Sequence, residues 1–503
     1  EDLASTVAQI DRHRSDRLAT ADMPSAPMAD WMTICRRLSL ALVGNQMSLE
    51  EIRELEQFPE SERESVHLSN LLDDARFHHY WAERWTRFLV GTDGGEFLVY
   101  RRRRFRVWLS EVFADQWRYD QLVRTLVTAE GLWTDRPEVN FYTATFDSGD
   151  GKPDVVRLAA RTSRVFLGLR IDCLQCHDDF LGNVALGDCV DPRPGQQADF
   201  HQLASFYSAA TTNGLQGIRA KEADYRYKYL DAEEEVDVAP SVPYSPELLP
   251  ETGDARERLA AWLTHPQNRQ AARSAVNHVW ALMFGRPLGQ GVDNIPLDSD
   301  RHPLIDRLAD AFIASEYNLQ DLIRVIALSD PFSVESRADY QVTESHDLVG
   351  AVFPLVRLRP EQVAGSVVQS SRVKTVDRDS AFLVQLLKFG QSNEFVQRYG
   401  DMGEDEFSSE SVTVTQRLLM LNGKMLNEST ELNPVLNASA HVNMFSANDP
   451  KAVESIFLSV LNRYPTDEES AEWTTRFAAG DRGNHIEDLC WVLLNSSEFS
   501  WNH

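Results

Sequence analysis

Residues 157–177 read RLAARTSRVFLGLRIDCLQCH. The first part carries Val165, Phe166 and Leu169 in a helix-like pattern and runs directly into Cys173-Leu-Gln-Cys176-His177. Helical patterning extends outward from this stretch. Ser48-Leu-Glu-Glu51 has the form of a capping box, with Ser48 as N-cap and Glu51 reaching back to it. Asp73 to Val90 is dense in aromatics, and Trp81, Trp85 and Phe88 stand at helical spacing, which predicts that they face a core. Downstream, Phe200 to Ala209 reads as a helix. Arg269 to Phe284 places Ala272, Val276, Val279, Trp280 and Met283 on one stripe. Asp321 to Leu328 and Val412 to Leu426 look similar, and Thr466-Asp-Glu-Glu469 is a second capping box.

Residues 216–253 break the pattern. Tyr225-Arg-Tyr-Lys-Tyr229 alternates like a short strand, then come Glu233-Glu-Glu235 and the prolines 240, 243, 246 and 250. Prolines at that density preclude a long helix. The expected fold is mainly α: two helical lobes, 1–215 and 254–503, joined by a short, Pro-rich, partly β linker at 216–253.

The chain has 503 residues, with 77 acidic against 50 basic side chains and a net charge of −27. Such a surface repels polyanions, which excludes nucleic acid and anionic membranes as principal partners. No apolar stretch reaches spanning length, so no membrane span is expected. Five cysteines are too few for a disulfide framework in a chain this long. The first residues are Glu1-Asp2-Leu3, without Met, as expected of a processed, exported chain.

Cys173-Leu-Gln-Cys176-His177 has the C-x-x-C-H spacing of c-type haem attachment. Two thiols three residues apart add to the two vinyl groups of one porphyrin. The adjacent imidazole then becomes an axial ligand, whose identity and hydrogen bonds set the potential. Two other readings compete. A structural zinc site needs a second close ligand pair, which the sequence does not offer. A thioredoxin-type pair needs a βαβ context, which is missing. The sixth iron ligand is open. His201, His78, His79, Met283 and Met444 are candidates, each more simply read as a core or surface residue.

Arg101 to Arg104 and Arg106 suit haem propionates or, equally, a solvated basic face. Arg104, Arg106, His78 and His79 would be the first distal-pocket candidates. Asp147, Asp150 and Asp154 faintly follow a calcium loop but lack its terminal Glu, and read as a plain turn. Cys35, Cys189 and Cys490 read as thiols without an assigned role. No Ser-His-Asp motif, phosphate loop or zincin motif is present.

These motifs together resemble a two-part family of exported planctomycete proteins: a cytochrome-c-type domain followed by a companion domain of unknown function. The first part is carried by Arg36-Arg-Leu-Ser-Leu40, Ala82-Glu-Arg-Trp85, Asn140-Phe-Tyr142, Phe166-Leu-Gly-Leu169 with the Cys173–His177 motif, Asp199-Phe200 and Leu203-Ala-Ser-Phe206. The second is carried by Arg258-Leu-Ala-Ala-Trp-Leu-Thr264, Val276-Asn-His-Val-Trp280, Phe284-Gly-Arg-Pro-Leu288, His302-Pro303 and Asn462-Arg-Tyr-Pro-Thr466. Two departures stand out. The family continues its motif as H-x-H-P, where this chain has Asp179 and Phe180, and His278 stands where the family usually has Arg. The resemblance implies export to the periplasm or the cell exterior, a mostly helical fold and haem c. It also makes a secreted sulfatase-like partner plausible, and it implies no substrate.

The expected protein therefore carries one haem c, covalent through two thioethers at Cys173 and Cys176, with His177 as proximal iron ligand. Its expected function is redox chemistry, most simply electron transfer with a partner protein. The alternatives are a haem oxidase, peroxidase or dehydrogenase acting on a small molecule or carbohydrate, and an interaction module with a structural haem. Whether the chain is an enzyme stays open at this stage, as do the sixth ligand and the oligomeric state.

Overall fold

Helix starts follow the sequence signals. Ser48 Oγ accepts from Glu51 N at 3.0 Å while Glu51 Oε2 accepts from Ser48 N at 2.8 Å, closing the box that opens Leu49–Leu55. The box at Thr466 and Glu469 opens Asp467–Ala479 in the same way. Each box satisfies two backbone N–H groups that a helix leaves without partners in its first turn. The computed structural model describes residues 3–92, 100–146, 152–188, 191–212, 217–221, 223–289, 291–297, 303–376, 407, 414–433 and 437–503. The fold is mainly α, and its strands form short antiparallel pairs. β1 (Ala185–Gly187) pairs with β2 (Pro192–Pro194), β3 (Ala210–Thr212) with β4 (Ile218–Ala220), β5 (Arg226–Tyr227) with β6 (Val236–Asp237), and β7 (Val356–Arg357) with β8 (Trp501–Asn502).

The chain forms two compact units, each assembled from separated stretches. One comprises residues 1–6, 81–281 and 286–325; the other comprises 7–80, 282–285 and 326–503. Most of 254–325 therefore shares a unit with the Cys173–His177 motif. So does the 216–253 stretch, where Tyr225, Tyr227 and Tyr229 alternate with more exposed neighbours and only Arg226–Tyr227 of the five is strand.

In the first unit Trp81, Trp85, Phe105, Tyr142, Phe166, Tyr207 and Trp262 are fully buried. Large apolar side chains of this kind each contribute roughly 1.5–3 kcal/mol on burial. Phe88 is half-buried and meets His278 edge-on at 4.6 Å. The part of the Arg269–Phe284 helix in this unit is more than the amphipathic stripe expected. Residues 270–281 are buried on every side. Its polar residues are inside because each finds a partner. Ser274 Oγ donates to Val165 O at 2.7 Å, and Asn277 Nδ2 donates to Gly291 O and Val292 O at 3.0 Å.

The second unit has its core in Leu40, Val363, Val367, Leu426, Val453, Phe457, Ile486 and Leu489. A smaller cluster joins Trp31, Cys35, Met47, Ile52 and Leu55. Arg37, also buried, donates to the carbonyls of Phe332, Val334 and His503, and its guanidinium stands 3.8 Å from the centre of the Phe353 ring. The helix expected over Val412 to Leu426 is broken. Val414–Asn422 ends at Gly423, whose φ of −68° and ψ of 140° take the backbone out of the helical region, and Lys424–Thr430 starts anew with Gly423 as its N-cap. Val412 itself lies outside the described residues.

Candidate functional site

The segment that delivers the motif begins at Asp154. Its carboxylate accepts from Val156 N and Arg157 N at 2.9 and 3.1 Å and caps the Val155–Arg161 helix. Asp154 is thus an N-cap; Asp147 and Asp150 lie outside the described residues. The helix widens into a π turn at Thr162–Phe166, a form that frees carbonyls for outside donors. Ser274 takes Val165 O, and Gln270 Nε2 donates to both Leu167 O and Ile295 O at 2.9 Å. Gly168 has a φ of +62° and lies so close to Ile295 that a Cβ would fall 2.8 Å from its Cδ1. Arg170 Nε pairs with Asp293 at 2.7 Å, and Arg164 Nε with Asp172 at 2.6 Å. Gln270, Ser274, Asp293 and Ile295 therefore clasp the strap that ends in the motif.

The motif occupies a 3₁₀ turn, Asp172–Gln175, and the residues just after it. Leu174 points inward and is fully buried, while Cys173, Gln175, Cys176 and His177 are exposed. Gly195 allows this packing, since a Cβ there would stand 2.7 Å from Leu174 Cδ1. Both thiols are free. Partial burial and the nearby Asp179 carboxylate push the Cys173 thiol above its ordinary pKa. His177 Nδ1 donates to the Asp178 carbonyl at 2.7 Å. A carbonyl only accepts, so this bond places a proton on Nδ1, and in the neutral ring it is Nε2 that carries the lone pair.

Neighbouring side chains brace this turn. Asp178 Oδ1 accepts from Gln197 N at 2.7 Å, at the start of the Gln197–Ser205 helix. Asp179 organises the following loop, accepting from Leu181 N at 3.1 Å and Val184 N at 2.6 Å. Asp179 thus serves the loop through its carboxylate. The loop tip leaves Phe180 80% and Leu181 84% exposed beside the motif. The Phe180 ring lies nearly parallel to that of His177, 6.2 Å away.

His201 is fully buried beneath the turn. Its Nε2 donates to Gln175 O at 3.0 Å, and its Nδ1 accepts from the Tyr225 hydroxyl at 2.8 Å. Burial holds its pKa below the ordinary histidine value, in keeping with a neutral ring. Both ring nitrogens are thus engaged, and His201 is not poised as a sixth iron ligand.

His78, His79, Met283 and Met444 belong to the second compact unit, while the motif belongs to the first. Arg102 and Arg106 pair with Glu83 at 2.8 and 3.2 Å, and Arg104 donates to the Thr134 carbonyl. Burial opposes ionisation of Glu83, but the hydrogen bond and charges of these arginines hold its pKa below the ordinary value. His278 donates from Nδ1 to Ser274 O and lies buried against Trp85 and Phe88, a core residue. Cys35 and Cys490 are buried, and burial raises both thiols, Cys490 to about 12. Cys189 and His302 lie outside the described residues. Among the described residues no cluster of three His, Cys, Asp or Glu is set to hold a metal ion, and no helix is long and apolar enough to cross a membrane.

Sequence reading missed Gln197, Tyr225 and Tyr227 as parts of this site. The alternation Tyr225-x-Tyr-x-Tyr229 was the one available signal, since it sets three aromatic rings on one side of an extended segment.

Residues 9–211 match the family model PSCyt2, described as a protein of unknown function (DUF1549), and residues 255–385 match PSD1, described as a protein of unknown function (DUF1553). No curated protein and no solved structure matched the chain.

Proposed function

Starting from a chain that carries the PSCyt2 and PSD1 regions in that order, we propose that it is an exported mono-haem c-type cytochrome that exchanges electrons with a partner protein. The observation that carries this is the state of His177. Its Nδ1–H is committed to the Asp178 carbonyl, which is how ligating histidines are usually oriented, and its Nε2 is left to bind iron. Two free, exposed thiols stand on the same turn, so the residues fit the group. Cys173 and Cys176 would hold the haem through thioethers and His177 would be its proximal ligand. Bound there, haem supplies one-electron redox chemistry.

The chain's own residues do the rest. Leu174 roots the turn in the core, Asp178 orients the imidazole and ties it to the Gln197–Ser205 helix, and Asp179 shapes the loop beside it. Exposed Phe180 and Leu181 favour exchange with another protein over chemistry on a small molecule, because apolar side chains at an open edge suit a protein interface. Haem c attachment places the working protein in the periplasm or outside the cell. A secreted sulfatase-like protein is one partner to test.

The test is an absorption spectrum of protein matured in an export-competent host, oxidised, reduced and in alkaline pyridine, with peptide mass analysis. Haem should stay covalently bound to the peptide holding Cys173 and Cys176, and C173S/C176S should lose it. Fully matured protein without haem absorbance would overturn the proposal.

A further inference from the structure

The Gln175 carbonyl, between the two motif cysteines, receives three donors. His201 Nε2 and Gln197 Nε2 each stand 3.0 Å from it, and the Tyr227 hydroxyl 3.1 Å. A carbonyl oxygen has two lone pairs, so three donors amount to more than ordinary satisfaction of a backbone group. The donors are themselves held. Tyr225 donates to the far side of His201, the Tyr227 ring stacks on the His201 ring with centres 3.4 Å apart, and Gln197 Nε2 also reaches Tyr227 Oη at 3.2 Å. Gln197 Oε1 accepts from Leu230 N at 3.1 Å, which ties in the segment after β5.

The next group along the chain is fixed as well. Cys176 N donates to Cys173 O at 3.3 Å. The carbonyl of Gln175 and the N–H of Cys176 belong to one rigid peptide plane. Holding both ends of that plane sets the direction in which Cys176 leaves the turn. His177 follows immediately, and Gln197 brackets it, with its side chain on Gln175 O and its backbone N on Asp178 Oδ1.

We propose that His201, with Gln197, Tyr225 and Tyr227, is a positioning residue that locks the Gln175–Cys176 peptide, so that the second thiol and the His177 imidazole are presented together. What the lock serves rests on the haem proposal above; that the lock exists does not. His201 bonds to the backbone between the cysteines.

The test uses the full-length chain in two forms. In haem-free, reduced protein, backbone amide exchange is measured by mass spectrometry for peptides covering 173–178 and, as a reference, 276–281. His201→Phe keeps an aromatic ring but removes both hydrogen bonds. It should speed exchange at 173–178 about fivefold, the change that one net hydrogen bond carries, and leave 276–281 unchanged. His201→Gln, whose amide can donate to Gln175 O, should restore the slow rate. In protein matured with haem, His201→Phe should raise the fraction of chains holding only one thioether, and His201→Gln should lower it again. If His201→Phe does not fold, Tyr227→Phe removes one donor, keeps the ring and should act in the same direction.

Unchanged exchange at 173–178 in the variant that folds overturns the lock, whether or not haem binds. Equal acceleration at 276–281 also overturns it, since that is general loosening. A wild-type chain that acquires no haem sinks the haem proposal and the purpose given to the lock, while the exchange arm still decides the lock itself.

Discussion

At Asp172–Gln175 it is the backbone that is held: donors converge on the Gln175 carbonyl, Asp178 takes a helix N–H, and Cys173, Cys176 and the Nε2 of His177 are left to face outward. Around Arg76, in the other compact unit, the side chains hold one another. Arg76 Nη2 stands 2.6 Å from Glu51 and 2.8 Å from Asp74, Glu51 also caps its helix through Ser48 N, and His67 meets Ser39 Oγ at 2.8 Å. Here the polar groups spend most of their hydrogen bonds on one another inside a core, although Arg76 Nη1 is left without a partner among the described residues. Polar groups that fix a turn from below leave its reactive atoms unspent. Cysteine shows the same contrast: Cys35 and Cys490 are sealed in cores that raise their thiol pKa, while Cys173 and Cys176 are exposed.

The comparison breaks most sharply at Arg76. Arg76→Met would leave the Glu51 and Asp74 carboxylates buried without their cation, and the second unit should lose about 3–5 kcal/mol. Urea denaturation followed by tryptophan fluorescence would show the midpoint falling; an unchanged midpoint would mean that the pair contributes no net stability.

His67 gives a pH dependence of known sign. Burial is the main cause that lowers its pKa, from 6.5 to about 4 in the fold. The unfolded imidazole takes up its proton near 6.5 and the folded one only near 4. Stability is therefore full above 6.5 and is lost as pH falls from 6.5 to about 4, by about 3 kcal/mol. The thermal midpoint measured across that range should drop, and His67→Gln should flatten the slope. Burial opposes ionisation of Glu51, but the Arg76 charge, together with the hydrogen bonds from Arg76 and Ser48 and the charge of His67, holds its pKa below the ordinary 4.5, which adds a further loss in the same direction at lower pH.

The smallest effect is expected at the motif's surface. Phe180→Ser with Leu181→Ser should shift stability by no more than about 0.5 kcal/mol per site, as exposed substitutions do. Under the proposed electron-transfer function, the same pair should slow electron exchange with a partner protein. A large drop in thermal midpoint would show that this loop is structural, and an unaltered exchange rate would remove it from the interface.

Much of this was legible in the chain. The capping boxes at Ser48 and Thr466, the buried faces of Trp81 and Trp85, the helical class and the motif itself all follow from local pattern, because caps and periodicity act over three to seven residues. What was not legible depends on partners distant in sequence. Gln270 and Ser274 lie off the apolar stripe that the sequence shows. They are buried against carbonyls more than a hundred residues away, Ser274 on Val165 in the π turn and Gln270 on Leu167 just after it. His201 looked like a possible iron ligand until Gln175 and Tyr225 were found on its two nitrogens.

The sequence by itself determined that two thiols and an imidazole share one short turn, since covalent spacing cannot be undone by folding. Only the tertiary structure decided which way they face and what grips the peptide between the cysteines. Those are matters of hydrogen-bond geometry between residues that only the folded chain brings together.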